Sequence, residues 1–166
     1  MIFIVLTLAF VAVATFWDWR TGQIPNWLTL PALASAPIIH GVGYGADQLL
    51  ASLAGLAGCG LLPYVLFRRK AMGGGDVKLF AALGALNGFS MGMEMFALIM
   101  LAGALQACFV LYSRHQLGAV LSNTYQMAAN LFRPKDQQRP LATEAMTEMR
   151  LGPALLVGTV LAIAGL

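Results

Sequence analysis

Charge is the scarcest commodity in this chain. Its 166 residues include ten Lys or Arg, seven Asp or Glu and two His, so that only 10% are charged. Soluble domains carry roughly a quarter charged residues, and this scarcity excludes an ordinary water-facing surface. Cysteine is also rare. Cys59 and Cys108 both fall in apolar segments without a Cys-x-x-Cys or Cys/His pairing, which excludes a disulfide framework or a zinc site and suggests buried thiols. The net charge of +3 and a pI near 9.1 do not signal nucleic acid, because no basic stripe with interleaved aromatics accompanies them. A His-Glu-x-x-His hydrolase signature is missing, as is the Gly-Lys-Ser/Thr ending of a phosphate loop.

What is abundant is apolar sequence: 59% of residues are hydrophobic and the mean hydropathy is +0.76. Residues 2–17 form an unbroken apolar run ending at Trp17 and Trp19, as interfacial anchors do. No Lys or Arg precedes it, which favours a membrane span over a signal peptide. A polar turn follows from Asp18 through Arg20 and Pro25, with Asn26 placed to cap a second segment over 27–42 that carries Pro31 and Pro37. A third segment, 48–67, is rich in the Gly and Ala that allow close helix packing in lipid. A fourth runs from Val77 to about Leu86 and meets an Asn87-Gly88 break. A fifth ends at Tyr112, and Gly152-Pro153 opens the last, to Leu166. Residues 114–150 are polar, with Leu117, Val120, Leu121, Thr124, Ala128 and Leu131 at the spacing of an amphipathic surface helix. The expected fold is therefore all-α: a single domain over 1–166 forming a polytopic bundle of about six transmembrane helices, with 114–150 at the membrane surface.

Six spans place all ten basic residues on one side. Arg20, the Arg68 to Lys78 group and the five between Arg114 and Arg150 share it, whereas 41–47 and 87–94 contain no Lys or Arg. The positive-inside bias makes that side cytoplasmic and both termini external. Asp18 and Asp76 then lie at the same cytoplasmic face, each joined to an apolar span, where a carboxylate is costly unless it is used.

Asp76 lies in Met72-Gly73-Gly74-Gly75-Asp76-Val77-Lys78-Leu79. Consecutive glycines let another backbone approach closely, and two carboxylates in a partly desolvated place share a proton, one as base and one as acid. That is the requirement for aspartic proteolysis, in which one Asp activates water and its partner protonates or polarises the scissile carbonyl. Blander uses exist: Asp18 as a helix-end charge beside Arg20, Asp76 as a helix N-cap, Lys78 as a snorkelling cation. A further reading makes the chain a non-enzymatic membrane protein or small transporter whose two aspartates carry protons or bind a cation.

The chain resembles the type IV prepilin peptidases, intramembrane aspartic proteases, and in particular the short form associated with Flp/Tad pili. Three stretches carry the likeness: Asp18 followed by Ile24-Pro25-Asn26 and Leu28-Thr29; Gly73-Gly74-Gly75-Asp76-Val77-Lys78-Leu79, which fits a Gly-x-Gly-Asp motif; and Gly152-Pro153-Ala154. The resemblance implies Asp18 and Asp76 as the catalytic pair, with no metal or cofactor. Gly73, Gly74, Gly75, Lys78, Pro25 and Asn26 are the accompanying motif residues, the glycines letting substrate backbone approach. The implied substrate is a prepilin whose basic leader stays cytoplasmic while its apolar helix lies in the inner membrane, cleaved after a Gly. Membrane lipid and pilus-assembly proteins are the other expected partners. Longer members N-methylate the trimmed pilin and carry an insertion with paired Cys-x-x-Cys motifs; this chain lacks both motifs, so methyl transfer is not expected.

Overall fold

The structure, a computed structural model, describes residues 2–69, 72–113 and 151–165. Lys70 and the amphipathic helix expected within 114–150 lie outside the described residues. The chain divides into two compact units, Met1–Gly103 with Arg150–Leu166, and Ala104–Met149. In the second unit the described residues, 104–113, are helical.

Every regular element among the described residues is a helix: α1 Ile2–Thr21, α2 Asn26–Tyr44, α3 Ala46–Arg68, α4 Gly74–Ser113 and α5 Gly152–Ala164. Three of them, α1, α3 and α4, are long and apolar enough to cross a membrane. At Gly88, α4 leaves helical geometry (φ 76°, ψ 179°), a conformation essentially reserved for glycine. The break falls at the predicted Asn87-Gly88 step. It divides α4 into two segments, the first of which, 74–87, is about 21 Å long against a hydrocarbon thickness of about 30 Å.

That first segment is the centre of the bundle. Residues 79–86 are all buried, and a helix apolar all round belongs in a core. Around it pack Val11 and Ala14 of α1, Ala36 of α2, Met95 and Ile99 from beyond the break, and Leu155 of α5, with Phe80 and Phe96 edge to face at 4.8 Å. Glycines bring α3 and α4 to backbone contact. A Cβ at Gly55 would collide with the Gly84 carbonyl, and one at Gly92 would lie 2.9 Å from Cys59 Sγ. The small residues read in the third segment thus serve the close approach expected in lipid.

A helix break exposes carbonyls that have no water to meet inside a bundle. Two of them are satisfied from neighbouring helices: Ser52 Oγ donates to Ala85 O at 2.6 Å and His40 Nε2 donates to Leu86 O at 3.1 Å. Asn87 bridges further, donating to Leu83 O and accepting from Thr7 Oγ1.

Several boundaries differ from the apolar runs. The segment from Asp18 to Thr21 is the last turn of α1 and not a polar turn, and it ends at Gly22, whose φ of 68° stops the helix. Asp76 lies in the first turn of α4, which begins at Gly74 and not at Val77. Asn26 does not cap α2: Pro25 holds the cap position in extended geometry without a side-chain bond, and the Asn26 amide is used elsewhere. Cys59 is buried as expected, whereas Cys108 is exposed. An apolar segment predicts exclusion from water, and lipid-facing positions meet that condition without protein burial.

Candidate active site

Contacts between helix ends bring together the C-terminal ends of α1 and α3 and the N-terminal ends of α2, α4 and α5. Gly74 lies against Phe67 of α3, and Gly75 against Ile24 in the link between α1 and α2. Lys78 Nζ, from the second turn of α4, donates to Asn26 Oδ1 in the first turn of α2 at 2.8 Å. Trp17 and Trp27 meet edge to face at 5.3 Å at this same end, and Arg20 lies over the Phe16 ring.

Between these ends is a cavity of about 360 Å³ lined by Asp18, Gly22, Gln23, Ile24, Asn26, Gly73, Gly74, Gly75 and Asp76. The two aspartates singled out from the sequence, 58 positions apart, therefore face one space together with all three glycines. Lys78 and Pro25 stand at its border, Lys78 through its bond to Asn26 and Pro25 as the residue that starts α2. Among the described residues no group of three or more His, Cys, Asp and Glu side chains gathers as a metal site would.

The carboxylates differ in setting. Asp18 is only 7% exposed, and its Oδ2 accepts a hydrogen bond of 2.8 Å from the Gly152 amide at the start of α5. Its partner is thus a helix N-terminus, a favourable place for an anion. Asp76 is half-buried and reaches back to the Gly73 backbone amide, in the manner of the acidic residue of a capping box. A Cβ at Gly73 would lie 3.2 Å from Asp76 Oδ2, so glycine keeps that approach open.

Thr15 and Gly152 are site neighbours that sequence reasoning did not single out for this place. Thr15 Oγ1 donates to the Gly152 carbonyl at 3.2 Å. The available signal was a hydroxyl inside an apolar run, one helical turn before Asp18.

Fold and site together describe a helical bundle built for a membrane, with two carboxylates converging at one end. The comparisons with known proteins agree with that class. The type IV leader peptidase family matches residues 5–108, and the chain belongs to that family. It is also 29% identical over 112 residues to Leader peptidase HopD of Salmonella typhimurium, across 64% of this chain and 70% of that protein. No solved structure matches the chain.

Proposed function

We propose that this protein is an intramembrane aspartic endopeptidase that removes the short basic leader of type IV prepilins, of the Flp-like class, after a Gly at the cytoplasmic face of the inner membrane. The observation that carries the reading is the placement of Asp18 and Asp76 on one cavity beside the Gly73–Gly75 turn. In this reading the chain is one membrane-embedded peptidase domain of about six spans.

One carboxylate of the pair takes a proton from water as the other protonates or polarises the scissile carbonyl, the division of labour that two adjacent carboxyl groups support. Gly73, Gly74 and Gly75 present a wall without side chains against which an extended substrate backbone fits. Lys78 and Asn26 tie the two sides of the cavity together across α2 and α4. A basic leader on the cytoplasmic side and an apolar helix in the bilayer deliver the scissile bond to this end of the bundle. Trimming without N-methylation, on a pilin delivered to its assembly proteins, completes the proposal.

The test is co-expression with a Flp-type prepilin, following leader removal by gel shift and mass spectrometry. Cleavage after Gly is expected in wild type and is lost in Asp18→Asn and in Asp76→Asn at matched membrane levels. Cleavage that persists in both variants removes the dyad from the mechanism.

A further inference from the structure

Asp18 is held at its back by a helix that contributes nothing else to the cavity. Gly152 is the first residue of α5 and its amide is one of the donors a helix N-terminus leaves unpaired. Pro153 follows and has no N–H to offer as an alternative. The carboxylate of Asp18 is therefore bound to one defined donor, at 2.8 Å. Thr15 closes the arrangement from the same helix as Asp18 by donating to the Gly152 carbonyl at 3.2 Å. The space is full: a Cβ at residue 152 would lie 3.2 Å from Asp18 Oδ2, from Thr15 Cγ2 and from Thr15 O. Gly152 thus cannot acquire a side chain without moving Asp18 or the turn that carries it.

We propose that Thr15 and Gly152 are positioning residues that fix the Asp18 carboxylate toward the Gly73–Asp76 turn. Neither lines the cavity; both act through Asp18. The inference rests on the Asp18/Asp76 reading above and adds to it the outer support on which that pair's geometry depends. Placement of a reacting group is worth a great deal, since a misplacement of about 1 Å can cost about 100-fold in rate.

The experiment measures kcat and KM for leader removal by the purified full-length chain in liposomes, with thermal unfolding as a check of folding. Thr15→Val keeps the shape and removes the hydroxyl, Thr15→Ser keeps the hydroxyl, and Gly152→Ala inserts the methyl. Thr15→Val is expected to lower kcat about fivefold, the worth of one hydrogen bond, with KM unchanged. Thr15→Ser is expected to return kcat to within about twofold of wild type, and Gly152→Ala to lower it about tenfold, since contacts at 3.2 Å give by a few tenths of an ångström. Wild-type kcat in Thr15→Val, or a Thr15→Ser chain as slow as Thr15→Val, overturns the inference. Should Thr15→Val fail to accumulate, Gly152→Ala decides alone, and a wild-type kcat there overturns it as well. Asp18→Asn and Asp76→Asn run alongside separate the two levels. If both still cleave, the dyad itself falls; if both are dead while the Thr15 and Gly152 variants are unaffected, only the positioning role falls.

Discussion

A methyl group at Gly75 would stand 3.3 Å from Ile24 Cβ and 3.6 Å from the Ile24 backbone N and O. That is closer than the link between α1 and α2 tolerates without giving by a few tenths of an ångström, and the link lines the same cavity as Asp76. Gly43, at the far end of α2, has nothing within 4 Å of where its Cβ would be. The two glycines therefore separate a packing requirement from a composition. Gly75→Ala is expected to lower leader cleavage about tenfold, a fraction of what a full ångström of misplacement costs. Gly43→Ala is expected to cleave as wild type, and equal rates in the two variants would deny Gly75 its role. The bond from Lys78 to Asn26 belongs to the same scale. It is solvent-accessible, so its contribution to stability is about 0.5 kcal/mol, and its importance lies in tying α4 to α2 beside the cavity.

The break in α4 was legible in the sequence because Asn-Gly inside an apolar run is a strong local signal, whereas its supports were not. His40 and Ser52 come from helices whose register against α4 is set by packing, and only the structure pairs them with Leu86 O and Ala85 O. The cavity divides the same way. Asp18, Asp76 and the glycines stood out as costly or permissive residue types among lipid-compatible ones. Thr15 and Gly152, 137 positions apart, carried no local sign of meeting. Helix ends were misjudged for a related reason, since the apolar run of α1 stops at Trp17 while its helical hydrogen bonding continues to Thr21. The break can be tested as an element. Gly88→Ala places a Cβ on a backbone at φ 76° and is expected to destabilise the protein by about 2 kcal/mol. Ser52→Ala removes one carbonyl's partner and is expected to cost about 0.6 kcal/mol, the usual worth of a polar contact between membrane helices. Thermal unfolding in detergent that ranks Ser52→Ala as the more damaging change would contradict this account of the break.

At the scale of the molecule, one end of the bundle gathers Asp18, Asp76 and the described cations Arg20, Arg68, Arg69 and Lys78, at or just beyond helix ends. The opposite end carries Gly45, Asp47 and the Asn87-Gly88 step, and its turn between α2 and α3 has no Lys or Arg. The proposed orientation, with the cavity on the cytoplasmic side, rests on this asymmetry, because basic segments resist translocation, and it is the orientation that a leader retained inside the cell requires. Gln23 and Asp47 are both exposed and belong to the two ends, so they report orientation once Cys59 and Cys108 are replaced by Ala. A membrane-impermeant maleimide added to intact spheroplasts is expected to label Asp47→Cys and to spare Gln23→Cys until the membrane is permeabilised. Labelling of Gln23→Cys in sealed cells would put the carboxylate pair on the external side. A protease there would meet the pilin's translocated domain in place of its leader, and the proposed substrate geometry would have to be abandoned even if both aspartates proved essential.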